Sequence, residues 1–366
     1  MPITIDGTGT ITGATTLAST VASPTFTTPA LGTPASGILT SCTGVPFDGF
    51  KNRIINGAMV IDQRNAGAAV TPTTDNTYTL DRWTAKLSQS SKYSVQQSST
   101  AATGFKNSLL ITSLSAYTVG ASESFFTKQV IEGLNVFDLG WGAAGASTVT
   151  LSFWVRSSLT GTFGGSLWND AGNRSHPYSY TISVANTFEY KTITIAGDTS
   201  GTWLTTNGGG INVGFAFGVG ASLSTTAGAW AAGFYPSATG ATSVVGTNGA
   251  TFYITGVQLE KGSTASSFDY RSIGTELALC QRYYQSNRVV WSGYLSGAGQ
   301  AMYAYSPFKV SMRTAPTGTI TGESLASMSA GTLTNAATDS IRYDITASGA
   351  NPQGYAFATI NASAEL

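Results

Sequence analysis

Apolar and polar side chains alternate strictly through the clearest stretches of the chain. In Ile211 to Val219, Ile211, Val213, Phe215, Phe217 and Val219 fall on one side and Asn212, Gly214, Ala216 and Gly218 on the other. In Val149 to Val155, Val149, Leu151, Phe153 and Val155 alternate with Thr150, Ser152 and Trp154. A period of two belongs to a β-strand that packs one face inward and leaves the other outside. Two such sheets set face to face predict a sandwich of about 200 residues, from Asn52 to Phe268.

The stretch from Thr251 to Gln285 changes period part-way. Phe252 and Ile254 point one way and Tyr253, Thr255, Val257 and Leu259 the other, after which Lys261, Gly262 and Ser263 turn the chain. Leu277, Cys280 and Tyr284 then recur at helical spacing, which predicts a helix over Thr275 to Gln285. About three turns are marginal alone in water, so this helix needs a surface to dock on. Further strands are expected around Arg288 to Leu295, Ala301 to Val310, Ile341 to Thr346 and Tyr355 to Ile360. A unit of roughly 80 residues buries little surface as a monomer, which favours oligomerisation.

Composition fits an all-β fold. The 366 residues include 43 glycines, and no long Ala/Glu/Lys/Leu helical block is present. Lys and Arg number 18, as do Asp and Glu, so no broad positive field drives nucleic-acid or anionic-membrane binding. No stretch approaches the roughly twenty apolar residues of a membrane span. The N-terminus lacks the basic and apolar regions of a signal peptide, an expectation of synthesis in a cytoplasm. Cys42 and Cys280 lie far apart and have no metal-site or redox spacing. Residues 1–50 carry only Asp6 and Asp48 as charged side chains and are rich in Thr, Gly, Ala, Ser and Pro. Such a segment is either a disordered linker or ordered only by neighbours.

GVQLEKGSTASSFDYRSIGTELALCQRYYQ resembles the segment that closes the jelly-roll domain of many bacteriophage tail-fibre proteins. NRIINGAMVIDQRNAG, Asn52 to Gly67, with TLDRW, Thr79 to Trp83, resembles that domain's opening, and FKVSMRTAPTGTI, Phe308 to Ile320, the tip module that often follows. With TPALGTPASGILTSCTGVP, Thr28 to Pro46, the matches spread over nearly the whole chain. The resemblance implies an intertwined, trimeric N-terminal stalk over 1–50 that attaches to the tail, a carbohydrate-binding-module-like jelly roll over 51–270, a short linking helix over 271–286 and a small β-rich tip over 287–366. It further implies a homotrimer in the virion, assembled in the host cytoplasm, with tail adaptor or nozzle proteins and a host polysaccharide or lipopolysaccharide as partners. Related jelly rolls commonly hold calcium near the first strand, where Ala58 stands in place of an acid; no cofactor or metal is expected.

The candidate chemistry is aromatic and polar. His176 is the sole histidine, which excludes a metal site built of several imidazoles and leaves at most one catalytic triad. It lies in Ser166 to Tyr180, read as a polar loop gathering Trp168, Asn169, Asp170, Asn173, Arg174 and Tyr178. Sugars are bound by an aromatic face over their C–H groups, with amides, carboxylates and guanidinium groups on their hydroxyls. An ordinary solvated loop has the same composition. Trp230 and Tyr235, beside Phe234, form a second group that serves ligand contact or packing, while Trp83 and Trp203 read as core. In the tip, Trp291, Tyr294, Tyr303, Asn351 and Tyr355 are candidates, along with Arg288 and Tyr305, for either ligand contact or subunit packing. Gly140 to Gly145 matches a dinucleotide fingerprint in letters, but a strand follows it where a helix is required. The run Gly208 to Gly210 reads as a hairpin turn. A non-catalytic glycan binder is the leading expectation. The alternatives are a depolymerase, for which no pair of acids stands out, and an architectural connector fibre.

Overall fold

The computed structural model describes residues 51–349 and 353–366. The stalk and tail-attachment segment, Cys42 and Asn351 lie outside the described residues. Within them the fold is all-β, as the alternation requires. The sandwich strands are β1 (Thr77–Leu80), β2 (Trp83–Leu87), β3 (Tyr93–Ser98), β4 (Ser108–Ser113), β5 (Ser124–Glu132), β6 (Val149–Ser157), β7 (Gly161–Asn169), β8 (Arg174–Ile182), β9 (Glu189–Ile195), β10 (Gly209–Val219), β11 (Ser224–Thr225), β12 (Ala231–Ala232), β13 (Ser237–Ala238) and β14 (Thr251–Lys261). One sheet runs β1-β2-β5-β10-β7-β8-β12 and the facing sheet β3-β4-β14-β6-β9, a jelly-roll-like arrangement, with β11 and β13 paired apart. The core lies between them, where Phe153 of one sheet meets Phe215 and Tyr180 of the other, each at 5.0 Å between ring centres.

Helix α1 (Ile273–Gln281) follows, capped by the Ser272 hydroxyl, which accepts from the Thr275 N–H. Then come β15 (Tyr284–Tyr294), β16 (Ala301–Pro307), β17 (Thr317–Ala326), β18 (Thr332–Thr334), β19 (Ser340–Thr346) and β20 (Gln353–Ser363). They form two three-stranded sheets, β15-β20-β17 and β16-β19-β18, over their own core around Tyr343, Ile345, Ala358 and Ile360.

Several elements depart from the plain alternation. β14 carries a bulge between Thr255 and Gln258, with Gly256 at φ +61, so Phe252, Ile254, Val257 and Leu259 all face the core. Val257 and Leu259 therefore do not share a face with Tyr253, because the extra residue resets the phase. β10 is buried on both faces: its outer side packs Ala216 and Val219 against Phe126, Trp168 and Phe234. Gly209 and Gly210 open β10 and do not form a hairpin turn. Ser166 to Tyr180 is the end of β7, a four-residue turn and the start of β8, not a loop. β17 had no strong apolar alternation to announce it, since its outward positions are threonines.

The opening and closing segments of the sandwich meet. The Asn52 carboxamide donates to the Val257 carbonyl and accepts from the Ile54 and Leu259 N–H groups. Gly57 lies so close that a Cβ there would stand 2.1 Å from the Val257 oxygen. Helix α1 docks on this seam through Cys280 and Leu277, which pack with Ile55, Ile61 and Tyr283. Burial pushes the Cys280 thiol well above its usual range. Glu276 accepts from the Asn56 N–H, and Glu132 takes a bidentate pair from Arg282 at 2.9 and 2.6 Å and the Tyr283 hydroxyl at 2.6 Å.

The run-out of β20 closes the junction. Buried Arg82 pairs with Glu365 and stacks on the Tyr283 ring at 3.6 Å, and Arg64 reaches Glu365 at 3.0 Å. Arg313 donates to the Ala364 and Glu365 carbonyls and to that of Asn207.

Removing one partner of a buried ion pair strands the other, so Glu365→Gln is expected to cost about 3–5 kcal/mol in denaturant unfolding. Asp75→Asn, which breaks the exposed pair with Lys86, is expected to cost under about 1 kcal/mol in the same assay. Burial raises the Asp81 carboxyl to about 6, against the pull of Arg64. A carboxyl whose folded pKa is raised contributes stability below its unfolded pKa and loses it as pH rises through the folded value. Asp81→Asn is therefore expected to gain on the wild type by up to about 3 kcal/mol between pH 4 and 6.5, read from unfolding midpoints across that window.

Candidate functional site

The outer face of the five-stranded sheet carries an aromatic pair. Trp154 of β6 stands opposite Tyr190 of the edge strand β9, with ring centres 5.4 Å apart and planes tilted by 45°. Tyr190 is exposed and Trp154 half-buried. The sequence signal was Trp154 itself, a large aromatic on the polar side of the Val149 to Val155 alternation.

A loop after β14 folds back over this face and supplies the opposite wall. Phe268 and Tyr270 pack with Phe105 at 5.1 and 5.5 Å between centres and with each other at 4.9 Å, and Phe105 rests on the bulge where a Cβ on Gly256 would meet it at 2.5 Å. Charged and amide groups hold the loop down. Glu260 accepts from Ser266, Gln258 accepts from the Asp269 N–H at 2.8 Å, and the Lys51 ammonium donates to the Ser267 carbonyl at 2.6 Å. Tyr270 donates its hydroxyl to Gly104 at 3.0 Å, so the wall is tied at both ends.

Between the walls lies a groove of about 510 Å3, floored by Ser152 and Gly256 and rimmed by Thr103, Ser266 and Ser267. On the far side of Phe105 and Tyr270 a second cavity of about 250 Å3 adjoins Ala58, Val60 and Ile273. Aromatic faces with hydroxyls between them suit a polyhydroxylated ring: its C–H face stacks and its hydroxyls exchange hydrogen bonds.

The residues singled out from the sequence are placed elsewhere. Trp168 is buried in the satellite core, edge to face with Phe126 and Phe234. Tyr178 is in the main core, its hydroxyl donating to the Gly214 carbonyl at 2.8 Å and pushed far up by burial. Asn169 organises the β7–β8 turn, accepting from the N–H groups of Asn173 and Arg174 and donating to the Asn173 side chain and the Thr202 carbonyl. Arg174 holds buried Asp198 through two bonds of 2.7 Å. Asp170 and Asn173 are exposed at the turn.

His176 is buried against Trp230, and desolvation draws its imidazole below the usual value. Trp230, Trp141 and Trp203 pack mutually edge to face at 4.7 to 5.3 Å, filling one another's space, and the Trp230 indole donates to the Ala196 carbonyl. Tyr235 is half-buried beside Gly233. Trp83 of β2 and Trp203, in the connection between β9 and β10, are both buried, as expected. In the C-terminal sheets Trp291 packs partly against the core, while Tyr294 and Tyr355 are exposed beside a shallow cavity of about 430 Å3. Tyr303 is exposed next to Tyr305 at 6.0 Å.

No protein-family model matches the chain, and no curated protein sequence matches it. Among solved structures it is similar to the enzymatically active domain of bacteriophage CBA120 tailspike protein 4, at 12% identity and a TM-score of 0.30 over 58% of this chain and 21% of that one. The chain thus spans about a fifth of that tailspike domain's length. It is similar to a family 11 carbohydrate-binding module from Clostridium thermocellum in complex with a mixed-linked tetrasaccharide, at 12% identity and a TM-score of 0.28, over 53% and 95% of the two chains. A Clostridium thermocellum xylanase 10B with its CBM22-1 module matches at 10% identity and a TM-score of 0.26, over 53% and 28%. At such values none of them bears on what this chain binds.

Loss of the Asn169 carboxamide leaves four partners unmet. Asn169→Ala is expected to lower unfolding stability by about 2 kcal/mol.

Proposed function

We propose that the chain is a homotrimeric phage tail fibre that binds a host-surface glycan without cleaving it. The single observation that supports the reading is the groove: half-buried Trp154 and exposed Tyr190 on a sheet face, opposed by Phe268 and Tyr270, with hydroxyls between. Stacking and hydroxyl hydrogen bonds there form and break no covalent bond. The exposed tyrosines of the C-terminal sheets offer further contact area at low entropy cost. Three copies would turn a weak single-site affinity into firm adsorption. Residues 1–50 would join the fibre to tail adaptor or nozzle proteins, as their resemblance to stalk segments implies.

The test uses the purified full chain. Sedimentation is expected to give three copies per particle, and host-surface polysaccharide to bind with no new reducing ends. Trp154→Ala is expected to weaken that binding by about tenfold or more while the unfolding midpoint moves little, because the ring is half in solvent. A monomer would contradict the fibre, and undiminished binding by both Trp154→Ala and Tyr190→Ala would contradict the groove. Reducing ends that accumulate with turnover would make the protein a depolymerase.

A further inference from the structure

Arg156 lies two residues beyond Trp154 on the same outward face of β6, a step of about 7 Å along a strand. It stands directly opposite Tyr253 of β14. Its guanidinium carbon is 5.0 Å from the Tyr253 ring centre and 5.9 Å from that of Phe188. Aromatic faces on two sides favour the cation and fix where it points.

Its surroundings differ from those of other sandwich arginines. Arg53 meets Asp138, Arg82 meets Glu365 and Arg174 meets Asp198. No carboxylate pairs with Arg156 among the described residues, and its Nε is buried with no hydrogen-bond partner. The buried Nε without a partner costs free energy in the free protein, while the terminal N–H groups, which no acceptor among the described residues takes up, stay open to water. A ligand oxygen meets those terminal N–H groups in place of water, on a cation whose position the two rings already fix.

We infer that Arg156 makes the groove selective for acidic glycans. A sugar ring stacked on Trp154 and Tyr190 spans about the distance from the indole to the guanidinium, so an anionic substituent on that ring or the next meets Arg156. A carboxylate or a sulfate both match a planar fork of N–H donors. The chain's zero net charge adds no broad positive field, and a second cation beside the groove, the Lys51 ammonium, is engaged with the Ser267 carbonyl. The inference rests on the glycan-binding reading of the groove.

The test measures affinity of the full chain for three acidic probes, each beside its neutral parent: trigalacturonate and its carboxyl-reduced form, sialyllactose and lactose, and a sulfated disaccharide and its desulfated form. At least one acid is expected to bind about ten- to a hundredfold tighter than its parent, the worth of a charged hydrogen-bonded contact. The uronate, sialyl and sulfate arms distinguish carboxylate from sulfate recognition. Arg156→Gln is expected to erase that preference and leave the affinity for the neutral parent within about twofold, and Arg156→Lys to retain part of it. Neutral parents binding as tightly as their acids, or a preference that survives Arg156→Gln, overturns the inference while a Trp154-dependent affinity keeps the groove. Failure of all six probes and of host polysaccharide to bind overturns both.

Discussion

The bulge at Gly256 is the constraint from which the architecture of both the core and the groove follows. One inserted residue in β14 turns Val257 and Leu259 inward, which lengthens the apolar seam of the five-stranded sheet. It also turns the Val257 amide and carbonyl toward the opening segment, where Gly57 and Asn52 take them up. On the outer side, the bare Cα of Gly256 leaves the recess that Phe105 occupies. A side chain there would have to adopt a left-handed backbone and displace that ring. The same residue thus sets the phase of the core, the closure of the sandwich and one wall of the groove.

The junction below it adds buried charge to the small apolar cluster of Ile55, Ile61, Cys280 and Tyr283. Asp81, Arg82, Glu132, Glu276 and Glu365 are all buried or nearly so, in a chain with few charges altogether. Such groups stabilise a fold little when compared with well-packed hydrocarbon, but losing any one member is costly because its partner is then alone in a poor solvent. Each acid meets a particular donor, Arg82 with Glu365 and Arg282 with Glu132, so the two sheets of the C-terminal unit engage the sandwich in one register.

The sequence patterns recovered β6, β10 up to a bulge at Ala216 to Gly218 that turns Val219 outward, and a helix, which ends at Gln281 and not Gln285, so that Tyr284 opens β15. The two segments that resemble the opening and closing of a tail-fibre jelly roll prove to be neighbours in space, since Asn52, Arg53 and Arg271 bond across one seam. What was not legible has physical reasons. A bulge shifts phase without any change of composition. Trp168 and Tyr178 sit among polar residues in sequence, yet alternate into cores because the hairpin turn between them is short. The groove was hidden because its aromatics come from four distant segments, and only Trp154 stood out of its own strand pattern.

Strands β15 and β20 pair along their full length, with Tyr284 opposite Ser363 at the end nearest the sandwich. One continues from α1 and the other runs on into Glu365, so both leave the C-terminal sheets side by side and both are clamped. A pull on those sheets away from the sandwich loads two parallel anchors at once. The hydrogen bonds between the paired strands are not opened in sequence from one end, and the force passes instead into Arg82 and Arg282, which are rooted in the sandwich and in the segment just after the helix.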